Sequence, residues 1–554
     1  MTTNEGNLRK NALVWDSFLK WSASSKSIVQ ATISYEADKI LHNVTLTQKQ
    51  VEIVLSKSKH MLIRGAAGSG KSLALLSRMV GRMIEEDKGR YLYVSYNNKL
   101  VQDMSHRSKR SPYYKEMDAK HEKYDNIHFF TFHDLVKRVL NDAGITIPRF
   151  ETTPQELRRR NDMMIRQMHR VLQCLDSEEF RDLPPIHKIK KEQNVDFLRD
   201  EFLWMKANNY ITEERYTDRN LERTGRGNLP SISREQRRTI FRLFEKYRED
   251  QVHAFHNRLD AEDYALKLIE LIDQIPSSLK YDHVFIDEAQ DLQPMQLFAL
   301  TLLTRKSLTI CGDDKQRIYK SSPYSYRKLG IEIDRGNNYM LEGIFRSTRQ
   351  IMALANALQF TREDDDKQEQ EIYNKEGSKP RIVHFKNYKD EIDYLVEEIL
   401  CLKKKNPEES VAVVHRIKDE IQEKDLKTRL GRHFSIKKTD DPSAVGSGSH
   451  VYVTDAHPIK GLEFDHVFII NFDRKNYPLQ DEFKALEKYN ADDVTTKMYL
   501  DDKRQIMDRE KRVLYVVLTR AKKTLTLMYY GNFFQDVSPF KSDFYPNDFL
   551  HESR

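Results

Sequence analysis

Short apolar runs alternate with longer amphipathic stretches through the first part of the chain. His60-Met-Leu-Ile-Arg64, Tyr91-Leu-Tyr-Val-Ser95 and Ile127-His-Phe-Phe-Thr131 each read as a strand, and helical spacing predicts a helix over Ser72–Ile84. Strands and helices alternating in this way predict a parallel sheet covered by helices. From about residue 141 to 260 the pattern changes. Gln155–Leu175 and Ser233–His253 place apolar residues at helical spacing among many charges, and no strand pattern interrupts them. Strand-like runs resume at His283–Ile286 and Leu308–Cys311, and again near Arg381–Phe385, Val411–Val414, Val451–Thr454, Val467–Asn471 and Leu525–Tyr529.

These patterns divide the chain. Residues 1–45 form an N-terminal extension, with Leu13, Trp15, Phe18, Leu19 and Trp21 spaced as one short helix. A first α/β domain takes residues 46–140 and 261–338, a helical insertion takes 141–260, and a second α/β domain takes 339–554. The acidic stretch Arg362–Gly377 reads as an exposed connection within the second domain.

Composition adds limits rather than a function. A hydrophobic share of 39% with 10% aromatic residues supplies packed cores, so wholesale disorder is excluded. The net charge of +7 permits a nucleic-acid partner without establishing one. Arg158, Arg159, Arg160, Arg166 and Arg170 suit either a DNA-facing or a merely solvated helix surface. Cys174, Cys311 and Cys401 lie far apart with no CxxC pair, which argues against zinc or a disulfide framework and fits a reducing compartment. The opening MTTNEGNLRKNALVW lacks the apolar core of a signal peptide, and no apolar run is long enough to span a membrane. A soluble cytoplasmic protein is expected.

The sharpest chemistry lies at Gly65-Ala-Ala-Gly-Ser-Gly-Lys-Ser72, which fits GxxxxGK[ST] between a predicted strand and a predicted helix. Gly65, Gly68, Ser69 and Gly70 let backbone N–H groups turn toward phosphate oxygens, and the helix N-terminus adds positive potential. Lys71 is placed to reach the β- and γ-phosphates of ATP and Ser72 to ligate Mg²⁺. Val284-Phe-Ile-Asp-Glu-Ala-Gln-Asp291 ends a second strand in carboxylates. Asp287 suits the magnesium shell, and Glu288 suits the group that orients or deprotonates an attacking water.

These residues, with further segments in order, resemble the superfamily 1A helicases of the Rep/UvrD/PcrA group over roughly residues 46–530. Leu46-Thr-Gln-Lys-Gln50 resembles the Q motif, implying that Gln50 reads the adenine edge. Val94-Ser-Tyr-Asn-Asn-Lys99 resembles motif Ia and Thr131-Phe-His133 motif Ib, implying DNA contacts from Tyr96, Asn97, Thr131, Phe132 and His133. Cys311-Gly-Asp-Asp-Lys-Gln-Arg-Ile-Tyr319 is similar to motif III, which implies that Gln316 senses the γ-phosphate and Tyr319 faces the DNA groove. Leu341-Glu-Gly-Ile-Phe-Arg-Ser-Thr348 resembles motif IV, making Arg346 a γ-phosphate ligand. Thr454–Phe464 resembles motif V, with Glu463 near the ribose and Thr454 and His457 toward DNA. Glu510–Ala521 resembles motif VI, making Arg520 an arginine finger.

The resemblance implies two RecA-like parallel-sheet P-loop domains, a helical insertion in the first, and ATP closing the cleft between them. It implies an ATP-dependent translocase or helicase on single-stranded DNA or a single/double-strand junction, with 3′→5′ polarity, in repair, recombination or phage defence. Two departures qualify it. Ser321 stands where motif III carries a base-stacking aromatic, a contact worth roughly 1–3 kcal/mol per base. Between Val411–Arg416 and Thr454 there is also no room for the sizeable domain that the full-length helicases insert. The departures keep open a second expectation, an ATP-switched DNA-binding subunit that works with a separate nuclease or repair or defence protein.

Overall fold

The computed structural model describes residue 41 and residues 44–554 apart from 66–67, 87, 97, 121–124, 149–153, 187–193, 220, 222, 224–225, 227–231, 256, 314–324, 335, 342, 345–346, 361–371, 374, 438–449, 457–458, 460–461 and 490–496. The helix expected at Leu13–Trp21 and most of the acidic connection lie outside the described residues.

The first sheet has six strands, β1 (His60–Gly65), β2 (Tyr91–Ser95), β3 (Ile127–Thr131), β4 (Tyr281–Ile286), β5 (Thr304–Gly312) and β6 (Asn338–Leu341). They lie in the order β3-β2-β4-β5-β1-β6, and every pairing is parallel. Parallel neighbours need crossover connections, and the intervening helices supply them. Helix α1 (Gln48–Leu55) precedes β1, and the intervening helices of the strand-rich parts are α2 (Lys71–Glu85), α3 (Asn98–Arg110), α4 (Pro112–Lys120) and α5 (Phe132–Asp142). Side chains alternate across the sheet. Met61, Ile63, Tyr93 and Phe285 enter one apolar layer with Leu75 and Met79 of α2. Leu62, Leu92, Val94, Val284 and Ile286 enter the other with Leu135 of α5.

Between α5 and β4 the chain builds α6 (Pro154–Gln173), α7 (Asn194–Ala207), α8 (Glu213–Tyr216), α9 (Arg234–His253) and α10 (Asp263–Glu270). No strand occurs among the described residues of this stretch. Helices α6 to α9 share a core of their own, with Met168, Leu198, Phe202, Phe244 and Tyr247 fully buried. Inside it Glu201 is fully buried, and burial alone would raise its pKa. Arg223 and Arg226 overcome that cost and hold the carboxyl down at about 2, with Tyr216 also donating to it. Arg170 of the arginine-rich α6 pairs with Asp250 at 3.0 Å, a structural use of one of those charges.

After α11 (Pro294–Leu303) and β5, strand β6 adds residues 338–341 to the first sheet. The expected domain division after residue 338 therefore falls within this strand. A small parallel pair, β7 (Gly343–Ile344) with β8 (Ile372–Tyr373), and α12 (Arg349–Asn356) lead to a second sheet. It contains β9 (Arg381–Phe385), β10 (Val411–His415), β11 (Ile436–Lys437), β12 (Val451–Asp455), β13 (Phe464–Ile469), β14 (Ala521–Tyr530) and β15 (Leu550–Ser553). The order is β11-β12-β10-β13-β14-β9-β15, again parallel throughout. One face carries α13 (Tyr388–Lys405) and α14 (Glu420–Gly431), burying Ile392, Leu395, Leu426 and Leu430. On the other, Ile351 and Leu354 of α12 pack with Val513–Leu518. Those last residues belong to α16 (Lys497–Leu518), which follows α15 (Asp481–Tyr489). The architecture is thus two parallel-sheet α/β bodies, with a helical insertion in the first. Among the described residues no helix is long and apolar enough to cross a membrane.

Candidate functional site

The site grows from the carboxyl ends of β1, β4 and β5, adjacent strands whose ends converge. Past β1 the chain turns through Gly68 (φ 79°) and Gly70 (φ 83°) before α2 begins at Lys71. Gly70 takes the left-handed region that side chains disfavour, and a Cβ there would run into the Gln50 amide. A Cβ on Gly65 would stand 2.6 Å from both the Leu341 carbonyl and the Ser69 hydroxyl. Glycine at these positions is therefore a steric requirement, and the loop it allows presents N–H groups at the start of a helix. Ser69 Oγ is buried in this turn and has no hydrogen-bond partner among the described residues.

Lys71 is 8% exposed, donates to the Gly65 carbonyl at 2.8 Å, and stands 4.0 Å from the Asp313 carboxylate just past β5. Asp287, past the end of β4, is 1% exposed. Its N–H donates to Val94 O at 2.8 Å, fixing it to β2. Its carboxylate accepts from Tyr93 Oη at 2.7 Å, from the Glu288 N–H at 2.9 Å, and from the Ser72 hydroxyl. Burial, and then the negative charge of Glu288, nonetheless push the Asp287 pKa above its ordinary value. Two carboxylates packed this way favour a cation beside them. Hard oxygen donors on Ser72 and Asp287, beside phosphate-binding N–H groups, fit a magnesium ion shared with a nucleotide.

Glu288 itself adopts left-handed backbone (φ 51°, ψ 44°), unusual for a residue with a Cβ and costing on the order of 1 kcal/mol. The kink turns the chain sharply into a 3₁₀ turn, Ala289–Asp291, in which Gln290 Nε2 donates to the Glu288 carboxylate. The other end of the same amide, Gln290 Oε1, accepts from the Asp313 N–H at 3.1 Å. The β4 and β5 ends are thereby tied across the site.

Gln50 is buried and joins this site from α1. Its Oε1 accepts from the Thr47 N–H at 2.9 Å, closing a capping box, and its Nε2 lies 3.4 Å from Gly70 O. Arg520, the last-turn neighbour of α16, is 3% exposed and belongs to the second body. It donates from Nε to Val516 O at 2.9 Å, from Nη1 to Leu462 O at 3.4 Å and from Nη2 to Thr519 Oγ1 at 3.3 Å. Glu463 faces Lys522 at 3.8 Å in the same neighbourhood. Gln316, Arg346, Asn97, Tyr319 and His457 lie outside the described residues.

The positions expected to meet DNA divide. Tyr96 is 49% exposed just past β2, and offers an aromatic face to solvent. Thr131 caps α5, its hydroxyl donating to Asp134 at 2.7 Å. Phe132 is a correction to the sequence reading: at 2% exposed it is part of the apolar layer under the sheet, because the first residue of α5 points inward. His133 is half-buried with its Nε2 3.2 Å from Ala261 O, and burial lowers its pKa to about 4. A carbonyl can only accept, so the neutral ring donates there. Thr454, at the end of β12, is buried and donates to Asp455 O at 3.1 Å.

Tyr93, Gln290 and Asp313 were given no role from sequence, yet they shape the site. Gln290 and Asp313 stand inside segments already singled out, two residues after Glu288 and two after Cys311. Tyr93 was visible only as alternation on a buried strand, which does not say that its hydroxyl meets a carboxylate.

Residues 46–322 match the family model of the UvrD/REP helicase N-terminal domain, and residues 418–532 match that of the UvrD-like helicase C-terminal domain. The ATP-dependent DNA helicase PcrA of Staphylococcus epidermidis is 22% identical over 370 residues, covering 64% of this chain and 45% of that protein. DNA helicase II of Haemophilus influenzae is 25% identical over 333 residues, 56% of this chain and 40% of its own length. A probable DNA helicase II homolog of Mycoplasma capricolum is 24% identical over 373 residues, 64% and 46% respectively. The chain spans less than half the length of these curated relatives. With one family model alone matching half of its residues, and a second matching further on, the chain belongs to the UvrD/REP helicase family.

Proposed function

We propose that the chain hydrolyses ATP and couples turnover to 3′→5′ movement along single-stranded DNA, loading on a single strand or a single/double-strand junction. The observation that carries this reading is the assembled cluster of Lys71, Ser72, Asp287 and Glu288 at the glycine-rich turn. In it Lys71 binds the β- and γ-phosphates, Glu288 orients the attacking water, and Gln50 and Glu463 border the base and ribose. A magnesium ion held by Ser72 and Asp287 neutralises charge on the phosphates. Phosphoryl transfer needs cations around the γ-phosphate rather than covalent help, so Arg520 and Arg346, with Gln316 as sensor, complete the site from later segments of the chain. Closure and release of the two bodies then drive the step, with Tyr96, Asn97, Thr131, His133, Tyr319, Thr454 and His457 along the DNA path. A cytoplasmic location accords with this chemistry.

A second reading is an ATP-switched DNA-binding subunit of a larger assembly, working with a separate nuclease or repair or defence protein. Two observations favour it: only α14 and the short β11 are described between β10 and β12, and Ser321 replaces the stacking aromatic.

Hydrolysis by the full chain, with and without single-stranded DNA, tests both, with Glu288→Gln as the inactive control. Strong stimulation by DNA is expected. A basal rate unmoved by DNA, but lost in Glu288→Gln, selects the switch. Equal stimulation by RNA would overturn the DNA assignment.

A further inference from the structure

Four consecutive residues leading into the first turn of α10, Asp260–Asp263, hold three separate parts of the molecule. Asp260 and Asp263 grip the insertion. Lys206 of α7, only 1% exposed, donates to Asp260 Oδ2 at 2.6 Å, to Asp263 Oδ2 at 2.8 Å and to Gln251 Oε1 at 3.0 Å. Tyr247 of α9 adds its hydroxyl to Asp260 at 2.7 Å, and Gln251 its amide at 3.1 Å. Ala261 O takes the ring N–H of His133, at the start of α5. Glu262 points to the nucleotide side, where its Oε1 accepts from Gln293 Nε2 at 2.9 Å.

Gln293 is tightly bound to the carboxylate motif. From Asp287, anchored on β2, the chain runs through one 3₁₀ turn, with Asp291 N–H donating to Glu288 O at 2.9 Å and Leu292 N–H to Ala289 O at 3.1 Å. Gln293 then starts α11. So short a turn transmits a displacement of Glu288 to Gln293 with little slack.

Glu262 is an expensive residue for a passive brace. It is buried, and its Oε2 has no hydrogen-bond partner among the described residues. Burial, with Asp260 beside it, pushes its pKa up to about 7. An apolar side chain would fill this place at lower cost. By contrast Asp260, though burial opposes its charge, is held below its ordinary value by Lys206. The grip on the insertion is saturated by a buried lysine, whereas toward the nucleotide side Glu262 itself holds Gln293 by one side-chain hydrogen bond, beside the apolar packing of α10 on α11.

We propose that Asp260–Asp263 is the joint through which the nucleotide site and the helical insertion sense each other, with Glu262 and Gln293 as its positioning residues. The inference rests on the ATP-driven reading above. A change at Glu288 moves Gln293, the Gln293–Glu262 bond carries the movement to the joint, and Lys206 and Tyr247 pass it into α7 and α9. His133 reports to the same joint from the expected DNA path.

The test compares the full chain with Glu262→Ala, Gln293→Ala, the double variant and Glu262→Gln. Two quantities are read: stimulation of ATP hydrolysis by oligothymidylate, and hydrogen exchange of α7 and α9 with and without a non-hydrolysable ATP analogue. Each alanine variant is expected to cut the stimulation about fivefold or more, leaving basal turnover and KM for ATP in place. Each also abolishes the nucleotide-dependent exchange change. The double variant should lose no more than either single one, since both remove one bond. Glu262→Gln keeps an acceptor for Gln293 and should behave as the unaltered chain. Undiminished coupling in the folded alanine variants, or losses that multiply in the double, would overturn the joint while leaving the functional reading intact. An unaltered chain that ignores oligothymidylate but shows the exchange change sinks the DNA reading and keeps the joint. One that binds the analogue with no exchange change in α7 or α9 sinks the joint itself.

Discussion

The two halves of the candidate site are built on opposite plans. On the first sheet Lys71, Ser72, Asp287 and Glu288 meet at strand ends, held by Gly65 O, Tyr93, Val94 O and Gln290. On the second body Arg520 is folded back onto the end of α16, donating to Val516 O, and onto the segment before β13, donating to Leu462 O. A buried guanidinium spread over carbonyls is satisfied at modest strength, since neutral acceptors hold a cation less tightly than a phosphate would. The contrast sets a prebuilt half against one whose cation is stored on main-chain carbonyls, and the proposed function expects a nucleotide to draw it away.

The largest effect should come from breaking the prebuilt half. Lys71→Ala removes the cation from the phosphate loop, and ATP turnover is expected to fall on the order of 10³-fold or more, to background. Surviving hydrolysis at a rate near that of the unaltered chain would move the active site elsewhere.

Arg520→Ala attacks the stored half. If the guanidinium leaves its carbonyls to meet the γ-phosphate, kcat drops on the order of 10³-fold while KM for ATP changes little. Arg520→Lys should recover only a small part, because an ammonium lacks the planar fork. If Arg520 is only a helix-end clamp, both variants instead lower the unfolding midpoint and leave kcat nearly unchanged. The measurement therefore separates a stored finger from a structural arginine.

Much of this contrast was legible in the sequence, for a physical reason. The phosphate loop and DEAQD are local: their residues are neighbours in sequence, and strand ends fix their direction. All ten strands expected from apolar runs are present, with β4, β5, β13 and β14 beginning earlier than their runs suggested, while β6 and β15 had no such run. What stayed hidden depends on long-range partners. That Phe132 is core and not surface follows from which way α5 docks, not from Thr131-Phe-His133. Tyr93 meeting Asp287 across 194 positions, and Glu262 meeting Gln293 beside a buried lysine, require the sheet and the insertion to be assembled first.

The smallest effect concerns a buried carboxyl with no part in turnover, and it sharpens the comparison from the other side. Asp287 is buried among several donors, its carboxylate accepting from Tyr93, Ser72 and the Glu288 N–H. Glu391 of α13, in the second body, is equally buried, but its Oε1 accepts from the Asn471 N–H at 3.0 Å and its Oε2 has no partner among the described residues. Burial pushes its pKa from an ordinary 4.5 to about 8, with Asp473 adding to the rise. A carboxyl raised in the fold costs nothing while both states are protonated, below pH about 4.5. Its penalty grows as pH climbs and is complete above pH about 8. Glu391→Gln keeps an acceptor for Asn471 and never ionises. The variant should match the parent near pH 4.5 and become more stable than it above pH 8, by on the order of 2–4 kcal/mol. Unfolding midpoints of both proteins across this range measure the gap. A gap that stays constant with pH would mean that Glu391 finds a cation or water in solution and is not held there as an uncharged carboxyl.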